Sequence, residues 1–179
     1  MGSGRWDEYF YNIAKQVASN SKCLSRKFGA VLVRDKSIIS TGYNGPARGV
    51  PHCSERYEKD SYLKTYIKAS DLEIPKDKNI CPRHHLEFKS GEGLNLCIAS
   101  HAEVNCINNA ARNGHITLGC SLYLVGKALP CKNCLNEIIN AGIIELIVDT
   151  DKYYDEQSYY ILSNSGLITR RYLFNFEKD

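Results

Sequence analysis

The chain has 179 residues, a formal net charge of +3 and a hydrophobic fraction of 43%, which is sufficient for a folded core and excludes a disordered chain. No stretch approaches the ~18 apolar residues that span a bilayer, and no apolar signal-peptide core is present, so we expect a cytoplasmic protein with no membrane partner. The mild charge fits a small anionic ligand and argues against a nucleic-acid partner, which favours a strongly basic face.

The first half of the chain predicts a helix, a hairpin and an insertion within a single domain, residues 1–179. Apolar residues recur at helical spacing over 5–20. The β-rich stretches 29–33 and 37–44 flank a polar turn and predict an antiparallel hairpin. Residues 52 to about 97 are polar and proline-containing, which predicts an insertion with partial helix. An irregular segment of that length needs support inside a compact domain.

The second half alternates between helices that end at glycine and short β-rich runs. Together with the hairpin, this order predicts an α/β fold with a mixed, five-stranded sheet whose last strands are parallel. The predicted elements are a helix over 101–114, a strand over 121–126, a helix over 131–142, a strand over 143–149, a helix over 155–166 and a strand over 167–172.

Eight cysteines are a high count for a cytosolic chain. In a small secreted protein, they would predict a disulfide framework. Without a secretion signal, in a reducing compartment, metal binding is the favoured use.

Two short motifs, "HAEVN" at 101–105 and "PCKNC" at 130–134, carry the residues of a catalytic zinc site. Such a site takes three protein ligands and leaves a fourth position for water, and His101, Cys131 and Cys134 supply one nitrogen and two sulfurs. The Cys-x-x-Cys pair opens a helix, whose positive N-terminus favours thiolates. We expect His101 to begin its own helix, with both helix starts following adjacent strands.

Glu103 decides between a catalytic and a structural zinc site. It lies two residues beyond His101, where it cannot easily bind the same metal but can reach a metal-bound water. Zinc lowers the pKa of that water to ~7, and a neighbouring carboxylate can take its proton and return it to a substrate. A closed structural site would need a fourth ligand and would leave Glu103 without a role. The order H-x-E, then P-C-x-x-C, is the signature of zinc-dependent base deaminases.

The two motifs together resemble the cytidine deaminase superfamily. "SKCLSRKFGAVLV", "IISTGYNGP" and "AARNG" narrow the resemblance to the deoxycytidylate (dCMP) deaminases, from about Trp6 to about Gly166. The resemblance implies hydrolytic deamination of dCMP to dUMP for thymidylate synthesis, on a three-layer α/β/α fold. It also implies a homo-oligomer, often a hexamer, with dCTP and dTTP as allosteric effectors.

Carried over by residue, the resemblance implies that His101, Cys131 and Cys134 bind catalytic zinc and that Glu103 is the proton shuttle. It also implies that Asn44, in "GYNG", contacts the sugar or the phosphate of the substrate.

Arg26 is a further candidate for phosphate binding, because a guanidinium binds phosphate oxygens in a bidentate manner. The alternative is an ordinary solvated charge, and the charge pattern alone favours neither.

Other cysteines and histidines raise the question of a second zinc. Some members of the resembled family hold a structural zinc at the insertion, and a set such as Cys23, His52, Cys81 and Cys97 could hold one here. Cys53 or His84 could replace one of them. The alternative is a set of partly buried thiols that act as small hydrophobes. Cys106 and Cys120 are predicted to be core residues.

Two departures from the family pattern affect the substrate prediction. The family's usual alanine after "HAExN" is Cys106 here, and "YLVGKALPC" is two residues longer than the usual "YVTxxPC". The longer loop, 126–129, would line the base pocket, so another base remains an alternative, such as adenosine in tRNA. A non-catalytic, zinc-stabilised interaction module is the other alternative, against which Glu103 and the complete ligand set argue.

Overall fold

The computed structural model describes residues 4–172, and none of the helices described there is long and apolar enough to cross a membrane. The elements are α1 Arg5–Ser19, β1 Gly29–Arg34, β2 Ser37–Tyr43, α2 Cys53–Lys59, α3 Ser61–Ala69, α4 Pro82–His85, a 3-10 helix Leu94–Leu96, α5 Ala102–Arg112, β3 Ser121–Val125, α6 Lys132–Asn140, β4 Glu145–Val148, α7 Glu156–Asn164 and β5 Ile168–Arg171.

The five strands form one sheet in the order β2-β1-β3-β4-β5. β1 is antiparallel to both of its neighbours, β2 and β3, whereas β3, β4 and β5 run parallel to one another. The predicted hairpin, the mixed five-stranded sheet and its parallel second half are therefore confirmed. The helices between the parallel strands provide the crossovers that such pairing requires.

Two apolar cores lie on opposite faces of this sheet, which makes the three-layer α/β/α arrangement. Alternate residues of β1 enter different cores, with Ala30 and Leu32 in one and Val31 and Val33 in the other. Helix α1 contributes to the second core. Helices α5 and α6 contribute to the first, together with the partly buried apolar side chains of α7. Cys106 and Cys120 are fully buried in that first core, as predicted.

The described chain divides into two compact units. The larger unit contains 4–21, 28–44 and 101–172, and it holds the sheet. The smaller unit contains Lys22–Lys27 and Gly45–Ser100, so the predicted insertion, 52–97, lies within it.

The smaller unit has a small core of its own. Tyr57, Leu63 and Ile67 are buried there, with Leu86 packed against them. Its long segment is closed at its two ends by a backbone bridge, in which Gly45 N–H donates to Ser100 O at 3.1 Å and Ser100 N–H donates to Gly45 O at 2.8 Å.

Candidate active site

Two helix starts in the larger unit hold the predicted zinc ligands. His101 is the N-cap of α5 and Cys131 is the N-cap of α6, and both have extended backbone conformations. The expectation that both helices follow adjacent strands is wrong. Helix α6 follows β3, but α5 follows β2 after a long excursion, and β1 lies between β2 and β3 in the sheet.

The first turns of α5 pack closely against β2, and this contact fixes where α5 starts. A Cβ on Gly42 would lie 2.3 Å from the backbone nitrogen of Cys106, so only glycine allows this approach of strand and helix. The side-chain amide of Asn105 donates to Tyr43 O at 2.8 Å, which ties the first turn of α5 to the end of β2. Sequence reasoning did not assign this role to Asn105, although it lies within the "HAEVN" motif.

The sulfur atoms of Cys131 and Cys134 both lie close to His101 Nδ1. This nitrogen lies 3.2 Å from Cys134 Sγ and 3.6 Å from Cys131 Sγ, and all three donor atoms lie within 4.8 Å of one another. Tetrahedral zinc with ordinary bond lengths places nitrogen and sulfur ligands roughly 3.6 Å apart. Within the part of the chain that the structure describes, no other set of three or more His, Cys, Asp or Glu side chains is grouped this closely.

The protonation of the two thiols also fits a metal. Hydrogen bonds from the Cys134 thiol and from His101 lower the pKa of Cys131 to about 4, so this thiol is ionised at neutral pH. The hydrogen bond with Cys131 raises the pKa of Cys134, and burial acts in the same direction. Two negative sulfurs at this distance repel each other. A divalent cation between them removes the repulsion, so the donor set fits zinc.

Glu103 lies beside these donors in the first turn of α5. Its side chain is buried, with a relative exposure of 3%, and burial raises the pKa of its carboxyl group. The Cys134 thiol forms a hydrogen bond with the carboxyl, and His101 and Cys131 act on it electrostatically, so the carboxyl faces the metal-binding group. A carboxyl with a raised pKa can carry a proton closer to neutral pH, which is what a proton shuttle requires.

The predicted substrate contacts lie in different units. Asn44 belongs to the larger unit, where its Oδ1 accepts the Phe28 N–H at 2.8 Å and its backbone oxygen accepts the Ser21 hydroxyl at 2.8 Å. Arg26 belongs to the smaller unit, where it donates to Ser90 Oγ at 2.7 Å. Contact of Asn44 or Arg26 with a nucleotide stays a prediction.

All four predicted ligands of the second zinc belong to the smaller unit. Cys53, which sequence reasoning named only as a substitute, interacts electrostatically with Cys81, Cys23 and Cys97. Burial and these thiols raise its pKa to about 11, against the opposite effect of Arg56. The Nδ1 atom of His52 is buried and has no hydrogen-bond partner among residues 4–172. The second zinc stays a prediction.

Comparison with known proteins identifies the family. The family model described as the cytidine and deoxycytidylate deaminase zinc-binding region matches residues 4–150. The chain belongs to this family.

Relatives in the cytidine and deoxycytidylate deaminase family differ in length. The deoxycytidylate deaminase of Saccharomyces cerevisiae is 30% identical over 174 residues, covering 96% of this chain and 46% of the yeast protein. The chain thus spans about half the length of its yeast relatives. The deoxycytidylate deaminase of Mycobacterium phage D29 is 32% identical over 152 residues, covering 82% of this chain and 96% of the phage protein.

Solved structures agree with the fold. The dCMP deaminase of cyanophage S-TIM5, in complex with dCMP and dUMP, superposes with a TM-score of 0.64 at 18% identity. The match covers 96% of this chain and 99% of the cyanophage chain. The three-layer fold with a mixed sheet is therefore that of the cytidine deaminase family.

Proposed function

We propose that this chain catalyses the zinc-dependent hydrolytic deamination of dCMP to dUMP in pyrimidine deoxynucleotide metabolism. The observation that carries the proposal is the convergence of one nitrogen and two sulfur donors within 4.8 Å, with the buried Glu103 carboxyl facing them. The relatives named deoxycytidylate deaminase support dCMP as the substrate.

The proposed site residues divide into those that hold the metal and one that moves protons. His101, Cys131 and Cys134 would hold zinc, and zinc bound there would supply a Lewis acid that lowers the pKa of water to about 7. Glu103 takes a proton from the attacking water and delivers it to the ring nitrogen. It then carries a second proton, from the added hydroxyl group to the amino group, which leaves as ammonia. The oxygen of water replaces that amino group on the ring carbon, so water and dCMP give dUMP and ammonia.

A structural zinc in the smaller unit is part of the proposal. The electrostatic effects of Cys81, Cys23 and Cys97 on the Cys53 thiol support a set of four sulfur ligands. His52 remains an alternative ligand, because its buried Nδ1 has no hydrogen-bond partner in the described part of the chain. Such a site would be closed and would stabilise the unit instead of activating water.

The family resemblance extends the proposal to assembly and regulation. We infer a cytoplasmic homo-oligomer, such as a hexamer, that dCTP activates and dTTP inhibits. A small nucleotide is its substrate, and no nucleic acid or membrane takes part.

Ammonia release from dCMP by purified, zinc-replete protein tests the proposal, with deoxycytidine and cytidine assayed in parallel. We expect turnover of dCMP alone and, with the structural site filled, close to two zinc ions per chain. Equal turnover of deoxycytidine would contradict the assignment of a nucleotide substrate. Zinc binding without turnover of dCMP, even with dCTP present, would contradict the assignment of dCMP and direct attention to another base.

A further inference from the structure

The loop Gly126–Leu129 connects β3 to Pro130 and the zinc ligand Cys131, and it has an unusual backbone. Gly126 has φ +157° and Lys127 has φ +63°. Positive φ is rare for a residue with a side chain, and a protein retains it only where the surroundings hold the backbone in place.

Asp149, which follows β4, holds the backbone of this loop in place through hydrogen bonds. Its Oδ2 accepts the Gly126 N–H at 3.3 Å and its Oδ1 accepts the Lys127 N–H at 3.1 Å. At the other end of the loop, Leu129 N–H donates to Lys152 O at 3.1 Å. Hydrogen bonds to a charged acceptor are stronger than those to a neutral one. The segment 149–152 therefore fastens both ends of the loop.

A residue of α1, Tyr11, fixes the position of Asp149 in turn. The hydroxyl of Tyr11 donates to Asp149 Oδ2 at 3.3 Å. Burial raises the pKa of Tyr11, and the Asp149 charge raises it further, so Tyr11 keeps its proton and remains a donor. The carboxylate is thus fixed between α1 and the loop.

The loop lies between the Asn44 region and the metal ligands. A Cβ on Gly126 would lie 2.0 Å from the ring of Phe28, so the loop backbone packs directly on that ring. Phe28 in turn donates its N–H to Asn44 Oδ1. At its other end the loop buries Ala128 and Leu129 and continues into the N-cap Cys131. A shift of the loop would disturb both sides of the site.

We propose that Asp149 is a positioning residue, which fixes the loop Gly126–Leu129 as a wall of the substrate pocket and thereby sets selectivity among nucleotides. The inference rests on the proposed deamination of dCMP. Asp149 acts through the loop, since its carboxylate binds two successive backbone N–H groups there.

The kinetic test compares Asp149→Ala and Asp149→Asn with the control Asp151→Asn. Asp151 forms an exposed ion pair with Arg171, so the control makes the same charge change nearby. For Asp149→Ala we expect kcat/KM for dCMP to fall about tenfold, because a small misplacement of a positioning element lowers the rate. We expect a smaller fall for Asp149→Asn, which keeps one acceptor. The ratio of kcat/KM for dCMP to that for CMP should fall as well, at unchanged zinc content.

Trypsin cleavage after Lys127 gives a readout that does not depend on activity. Lys127 is exposed, and a firmly held loop resists proteolysis. We expect Asp149→Ala to be cut at this bond about tenfold faster than wild type and Asp151→Asn, with the new N-terminus at Ala128 identified by mass spectrometry.

The outcomes separate this inference from the proposed function. Zinc-loaded wild-type protein that does not turn over dCMP would refute the function, while the cleavage comparison would still decide whether Asp149 holds the loop. Unchanged cleavage at Lys127 would overturn the inference. So would faster cleavage with an unchanged selectivity ratio, because Asp149 would then act on stability alone. Loss of zinc from Asp149→Asn would also overturn it, since the role would then lie in metal retention.

Discussion

The larger and the smaller unit hold their cysteines and histidines in different ways. In the larger unit, regular helix starts present His101 and Cys131, and the helices rest on a sheet with two extensive cores. In the smaller unit, the cysteines lie mostly outside helices, and the buried core consists of Tyr57, Leu63 and Ile67. The proposed catalytic metal site is thus preorganised by the fold, whereas a metal in the smaller unit would supply stability that its core lacks.

The largest expected effect comes from Glu103→Gln in the preorganised site. The amide cannot carry the proton, so we expect turnover of dCMP to fall by about 1,000-fold or more, with the fold and the zinc content unchanged. The measurement is ammonia release together with metal analysis. Glu137→Gln, an exposed position on α6, is the matched control and should keep wild-type activity. Retained activity in Glu103→Gln would refute the proposed proton shuttle.

Metal removal tests whether the two units depend on zinc to different extents. After chelation, we expect amide exchange across 53–97 to accelerate about 100-fold, while β1 and β3 stay protected, because a small unit loses most of its stability with its metal. Hydrogen exchange with mass spectrometry measures both regions in one experiment.

A pair of buried cysteines provides the control for this comparison. Cys81→Ala should make exchange across 53–97 fast even before chelation, because it removes a proposed ligand. Cys120→Ala, in the core of the larger unit, should leave the response to the chelator intact. Equal protection of the two regions after chelation would refute a structural zinc in the smaller unit.

The same contrast explains what the sequence could predict. Helix starts, the hairpin and the parallel strands follow from local periodicity and capping, and His101, Cys131 and Cys134 follow from motif spacing. The packing of α5 against β2 could not be predicted, because it depends on the order of strands in the sheet. The position of Cys53 among the other thiols likewise depends on how an irregular segment folds, for which no periodic pattern exists.

Contacts between remote side chains were also beyond sequence reasoning. The anchor of the loop at Gly126 is Asp149, which is 23 residues away and carries no motif of its own. The ion pair between Asp7 and Arg170 joins residues that are 163 positions apart. Such pairs become visible only once the sheet brings α1 and β5 together.

The smallest expected effect concerns that ion pair, which stabilises the larger unit without any metal. Arg170 donates to both carboxylate oxygens of Asp7, at 2.7 and 2.9 Å, and Tyr123 donates to the same carboxylate at 2.8 Å. We expect Arg170→Met to lower the free energy of unfolding at pH 7 by about 1.5 kcal/mol, a value reduced by the partial exposure of the guanidinium. Arg171→Met, which breaks an exposed pair with Asp151, should cost less than about 0.5 kcal/mol.

The pH dependence of this effect has a definite sign. The hydrogen bond from Arg170 is the main factor that lowers the pKa of Asp7 below its usual value of 3.8. A lowered pKa in the folded state stabilises the protein above the unfolded-state pKa, and this stabilisation is lost as the pH falls through the folded-state value. Urea unfolding at pH 7 and near pH 3 should therefore show a smaller difference between wild type and Arg170→Met in acid. An equal difference at both pH values would mean that the charge on Asp7 contributes nothing to the stabilisation by Arg170.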